Sequence, residues 1–172
     1  LGDVYKRQDG CVLISQHADT TGASTACEKA GVPIVGYNVS MIATAPTQAL
    51  TSASIDWGPY YTYAVKSVID GTKIDTDWCK GYDDGADKIT ELNDKAIAKG
   101  TKEKVKEVED AIKDGSLHVF DTSTFTVDGK ELDSWKDDNG NEYIKDGYFH
   151  ESELHSAPAF AINIDGIESV EK

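Results

Sequence analysis

Cys11 to Ser15 is a short apolar run without polar alternation, the pattern of a strand covered on both faces. Seven polar or small residues follow. Ala23, Ala26, Cys27 and Ala30 then recur at helical spacing, and Gly31 stands where a helix ends. All four repeating residues are small, so this helix can lie close on a sheet. Thr20 or Thr21 is placed to cap it. Val32 to Asn38 is the next strand. Strand, helix and strand in so short a space predict a βαβ unit with parallel strands and a right-handed crossover.

The pattern continues with a loop from Val39 to Thr47 and a third strand from Gln48 to Ser54. A helix follows, with Pro59 in its first turn and Gly71 at its end. Tyr61, Ala64, Val65, Val68 and Ile69 form its apolar stripe. Ala86 to Leu92 reads as a strand. Thr101 opens a third helix as its cap. Its buried stripe is Val105, Val108, Ala111 and Ile112, with Glu109 and Lys113 paired on its surface and Gly115 as its stop. Beyond it the texture turns to strands and tight turns. Ser116 to Phe120 reads as a strand, Asp128-Gly129 as a hairpin turn, Asn139-Gly140 as a second turn, and Pro158 to Val170 as a last strand. Residues 9–120 are therefore expected to form an α/β ligand-binding lobe, and residues 121–172 a hairpin region completing or leaving it.

This order of elements predicts an α/β fold, a layered parallel sheet flanked by helices. Ligands of such sheets sit at the carboxyl ends of the strands. Gln16 to Thr21 lies just past the first strand and before a helix N-terminus, Asn38 ends the second strand, and Asp56 and Trp57 follow the third. Gln16, His17, Asp19, Thr20, Asn38, Asp56 and Trp57 are thus the candidate ligand-binding residues. Each has a plainer reading. The "QHADT" loop also reads as a helix cap around a hydrogen-bonded histidine, "GYNVS" is also an ordinary polar turn, and Trp57 and Tyr61 also suit core anchors at a helix start.

Composition narrows the field. The 172 residues carry 17 Lys+Arg against 31 Asp+Glu, a formal charge of −14. A phosphate-binding face needs the opposite sign, so nucleic acid is not an expected partner. Cys11, Cys27 and Cys79 have no metal-site or CxxC spacing, and Cys11 and Cys27 sit in apolar patterns that predict buried free thiols. His150 and His155 lack companion ligands, "GYDDGAD" lacks the EF-hand order, and neither GxGxxG nor a P-loop occurs. No metal and no cofactor is expected. His118, in a strand pattern, reads as structural. No GxSxG nucleophile motif accompanies His17 and Asp19. Leu1 to Gln8 suits neither a strand start nor a helix cap and resembles translated sequencing adapter, so native sequence is expected to begin near Asp9.

Four segments together, "ISQHADTTGA", "AGVPIVGYNVSM", "LTSASIDWGPYYTYAVKSVIDGT" and "AIKDGSLHVF", resemble the basic membrane protein (BMP, PnrA-like) solute-binding lipoproteins of ABC importers. The resemblance spans most of residues 10–120. It implies a type I periplasmic-binding-protein fold of two α/β lobes, with this chain holding mostly the second. It implies a purine nucleoside or nucleobase as ligand, a permease and an ATPase as partners, and an extracytoplasmic protein. Its only hold on the membrane would be a lipid anchor missing from this chain.

The match of site residues is partial. Asn38 stands where nucleoside-binding members usually carry an aspartate for the ribose, and Ile55 or Asp56 where some carry a lysine. Both changes leave a base-only ligand open. The "QHAD" loop implies recognition of the ligand edge by Gln16, His17 and Asp19. A lone lobe presents half a site, so weak or no affinity is expected of this chain alone. The alternatives are the effector-binding domain of a transcription regulator with the same fold, a small α/β enzyme using His17 and Asp19, and a surface module without a transport partner.

Overall fold

The computed structural model describes residues 10–151, 153 and 162–167. The adapter-like segment and most of the expected last strand lie outside them. The first part runs β1 (Ile14–Ser15), α1 (Gly22–Ala30), β2 (Ile34–Tyr37), β3 (Ala49–Ile55), α2 (Gly58–Asp70), β4 (Asp87–Ile89) and α3 (Thr101–Lys113). The four strands form one sheet in the order β1-β2-β3-β4. β1 pairs parallel to β2 and β2 parallel to β3, whereas β4 pairs antiparallel to β3. The predicted βαβ unit is therefore present. Gly31 and Gly71 end α1 and α2 in the left-handed conformation, at φ 67° in both cases.

The core lies on one face of this sheet. Ile14, Ile34 and Ala49 from the strands meet Cys27 of α1, Val32, and Met41 and Ala45 from the segment joining β2 to β3. Ala23 and Ala30 pack against the cluster, and Ser24 is fully buried beside them, so the small residues do let α1 lie close. Gly36 has a specific reason to lack a side chain: a Cβ there would sit 2.7 Å from Met41 Cγ and collide with Ser52 Oγ.

Several expectations need correction. β1 is shorter than predicted, because Val12 and Leu13 are exposed, and the Cys11 thiol is exposed rather than buried. The sheet is not covered equally on both faces. Val35, Tyr37 and Thr51 on the second face are half-buried and Ala53 is exposed. The α2 stripe turns outward: Tyr61, Val65, Val68 and Ile69 are exposed, up to 76% for Ile69. The opposite side of α2 is held instead, because the Tyr63 hydroxyl donates to Asp75 Oδ2 (2.7 Å) and Tyr60 and Tyr63 pack against Trp78.

α3 follows Gly100, at φ 88°, and Thr101 makes no side-chain cap. Val105, Val108 and Ile112 are half-buried because they line an apolar groove against Thr51, Tyr82 and Ile89 rather than a closed core. Glu109 accepts a hydrogen bond from the Tyr82 hydroxyl, and Lys113 sits over the Tyr82 ring at 5.0 Å instead of pairing with Glu109.

The second part holds a 3₁₀ turn (Thr122–Thr124) and an antiparallel sheet of β5 (Trp135–Lys136), β6 (Glu142–Lys145) and β7 (Tyr148–Phe149). Tyr143, Ile144 and Phe149 form its core, with Leu132, Trp135 and Ile162 around them. Ser116 to Phe120 forms no strand; the Phe120 carbonyl accepts from Phe149 N, its ring meets Phe149 edge-on with centroids 6.1 Å apart, and Asp121 makes a single bridge to Tyr148. Asp128-Gly129 does turn the chain, at φ 51° and 74°, but only the Val127–Lys130 bridge flanks it. Gly140 turns β5 into β6 as expected. His118 stacks on Tyr148 outside any strand.

Candidate ligand-binding site

The strand order places a crevice of about 570 Å³ past the carboxyl ends of β1 and β2. Asp19, Thr20 and Thr21 line it from the loop before α1, and Tyr37, Asn38, Val39 and Met41 from the end of β2 and the turn beyond. Parallel neighbours bring both loops to the same end of the sheet, so two segments far apart in sequence form the two walls.

Each wall is fixed by identifiable bonds. Gln16 is buried, and its amide donates to the carbonyls of Ala18 and Thr20, both at 2.6 Å. Its oxygen faces the hydroxyl of buried Ser24 at 3.5 Å. Gln16 thus shapes the loop from beneath, with both amide protons already engaged. Thr20 Oγ1 accepts from Gly22 N (3.2 Å) at the start of α1, while Thr21, at the cap position, makes no side-chain bond.

Asn38 adopts a left-handed backbone, φ 67°. Its N–H donates to Ala53 O (2.6 Å) and its carbonyl accepts from Ser54 Oγ (2.7 Å). Asparagine tolerates this region better than most residues, and such strain clusters at functional positions. From that pinned backbone the side-chain amide donates to Asp19 Oδ1 at 3.1 Å, joining the two walls.

His17 is exposed and stacks on Tyr37, with ring centroids 4.7 Å apart and planes 24° from parallel. No hydrogen bond joins His17 to Asp19 among the described residues: Asp19 pairs with Asn38 and His17 with the Tyr37 ring. Of the stacked pair only Tyr37 lines the crevice, so His17 lies behind it, and the crevice presents hydrogen-bonding oxygens beside one aromatic ring, which suits holding a planar polar molecule. Among the described residues no group of three or more His, Cys, Asp or Glu could hold a metal ion.

Asp56 and Trp57 follow β3, as predicted, but neither lines the crevice. Asp56 pairs with Lys88 across to β4 at 2.8 Å and accepts from Gly58 N. The hydrogen bond from Lys88, then that from Gly58, hold its carboxyl below the ordinary range. Trp57 is 54% exposed and belongs to a run of rings with Tyr60 and Tyr61. Tyr37 and Val39 lie in "GYNVS", a segment the sequence offers as a second wall, but sequence reasoning names only Asn38 from it and does not single out Met41. The available signal was the alternation in β2, which puts Tyr37 on the same face as half-buried Val35.

The same architecture occurs in solved structures. A transcriptional activator of the comK gene from Bacillus halodurans aligns with 67% of this chain and 41% of its own, at a TM-score of 0.59 and 13% identity. An ABC transporter solute-binding protein from Conexibacter woesei aligns with 68% of this chain and 40% of its own, at a TM-score of 0.50 and 18% identity. The fold is periplasmic-binding-protein-like. No protein-family model matches the chain. In sequence, a purine-binding protein of Brucella abortus (strain 2308) is 32% identical over 122 residues, which is 71% of this chain and 34% of the relative. The chain thus spans about a third of that relative's length.

Proposed function

We propose that the chain is the ligand-binding lobe of an extracytoplasmic solute-binding protein that delivers a purine nucleoside or nucleobase to an ABC importer. The observation that carries this reading is the crevice itself. Asp19 and Asn38 are joined across it, next to the stacked rings of His17 and Tyr37, at the carboxyl end of a parallel sheet. A purine offers a flat face for the rings and an edge of N–H and N or O groups for the side chains. The purine-binding relative and the solute-binding fold support this ligand class. Binding and release, without chemistry, accord with His17 and Asp19 being engaged separately. The BMP-type lipoprotein character, the permease and ATPase partners and the lipid anchor belong to the same proposal.

The experiment is a titration of the isotopically labelled chain with purines, followed by NMR, which detects binding too weak for most other methods. Shifts confined to residues 16–21 and 36–41 would support the reading. Purine-insensitive spectra would overturn it.

A further inference from the structure

We infer that Gln16 is a positioning residue of the crevice: it holds Asp19 in reach of Asn38 from beneath and touches no ligand itself. The consequence for affinity rests on the purine reading above; the positioning of Asp19 does not.

Gln16 stands where three elements meet. Its backbone N–H donates to Val35 O at 3.0 Å, which roots it in the pairing of β1 with β2. Its side chain is 6% exposed and is not among those lining the crevice. The end that meets the loop must be the nitrogen, because both neighbours there are carbonyl oxygens, which only accept. The amide oxygen faces Ser24 Oγ, fully buried on α1. Both amide protons are spent on the loop and the oxygen is turned into the protein, so the polar atoms of Gln16 serve the fold around the crevice.

The two carbonyls decide what is positioned. They belong to Ala18 and Thr20, the neighbours of Asp19 on either side. The clamp fixes the peptide planes before Asp19 and after Thr20, and the path of the chain between them follows. Asp19 is exposed, yet its carboxylate meets the Asn38 amide at 3.1 Å. The Asn38 end of that contact is pinned through its own backbone by Ala53 and Ser54. Gln16 supplies the matching constraint on the Asp19 end. A contact between two pre-set ends pays less ordering entropy when a ligand arrives.

Gln16→Glu keeps the size of the side chain and replaces the NH₂ with an oxygen, so acceptors would face the Ala18 and Thr20 carbonyls. Gln16→Met keeps the bulk without charge and offers no donor. Neither change touches Asp19 or Asn38. The Asn38 side-chain amide signals in NMR report their contact without any ligand, and Asp19→Ala supplies the reference for an unbonded Asn38 amide. In both Gln16 variants these signals should move to that reference while the β2 and β3 backbone signals stay in place. Purine affinity, titrated in the same samples, should fall about tenfold. Gln16→Met decides alone if Gln16→Glu does not fold. Asn38 signals that keep their parent positions would overturn the inference. So would a loss of affinity without their movement, which makes Gln16 a ligand contact, or unfolding of both variants, which makes it a core residue. Affinity kept while the signals move would overturn the link to binding. A parent chain silent toward purines would overturn the purine reading, and the ligand-free signals would still decide the role of Gln16.

Discussion

The imidazole of His17 lies on the ring of Tyr37, centroids 4.7 Å apart, although the two residues stand twenty positions apart in the sequence. Parallel pairing of Ser15 with Val35 creates this contact, because it brings the residues after each strand to the same sheet edge. The stack fixes an exposed side chain and backs the Tyr37 ring, which lines the crevice with Asp19 and Asn38.

His17→Ala should therefore weaken purine binding about two- to thirteenfold, the range of a stacked aromatic pair at about 0.5–1.5 kcal/mol. The fold should be unaffected, since His17 is exposed. Trp57→Ala tests the other aromatic candidate in the same titration. Unchanged affinity in both variants would remove these two residues from the site.

Gly36→Ala should destabilise the lobe. The added methyl would meet Ser52 Oγ and Met41 Cγ, both buried, and overpacking of this kind costs about 1–3 kcal/mol. Urea denaturation measures it. A midpoint equal to that of the parent would show that Met41 moves aside freely.

Asp165 ties the 126–129 turn to the segment 162–167. It accepts from Thr126 Oγ1 (2.6 Å), Gly129 N (2.8 Å) and Asp128 N (3.1 Å). The Thr126 bond, then the Gly129 bond, lower its pKa below the ordinary 3.8. A lowered folded pKa means stabilisation that is present above 3.8 and lost as pH falls through the lowered value. Asp165→Asn should lower the melting temperature at neutral pH, and the gap from the parent should close in acid. A gap independent of pH would contradict the role of the charge.

Tyr82 is pushed up to about 12, first by burial and then by its hydrogen bond to Glu109. The fold favours the neutral phenol. Its contribution is complete below the ordinary value of 10 and drains away between 10 and about 12. Ultraviolet titration should show a phenol ionising near the upper figure. Tyr82→Phe should remove that step, and an unchanged late step would assign it to another tyrosine.

The βαβ unit was legible because small residues at helical spacing, a terminal glycine and two apolar runs all pointed the same way. The position of Asn38 beside the 16–21 loop followed from parallel topology alone. What periodicity could not tell is the direction a stripe faces. Tyr61, Val65, Val68 and Ile69 have the spacing of a buried face, yet the ring contacts of Tyr60 and Tyr63 with Trp78 hold α2 by its other side. Ser116 to Phe120 reads as a strand by composition, but a strand also needs a partner edge, and the β7 backbone bonds only to its end. Gln16 lies in the predicted loop, but its two bonds inward depend on the loop's own curvature, which no spacing rule encodes.

The outward stripe of α2 also sets how this polypeptide behaves in a tube. At a formal charge of −14, molecules in dilute buffer hold one another at a distance, and their greasy helices do not meet. At molar salt the range of that repulsion shrinks to about 3 Å. The same salt strengthens apolar attraction if it is a sulfate or phosphate. Solutions kept clear by their own charge would then turn cloudy on addition of ammonium sulfate well before an equally acidic protein with covered helices does.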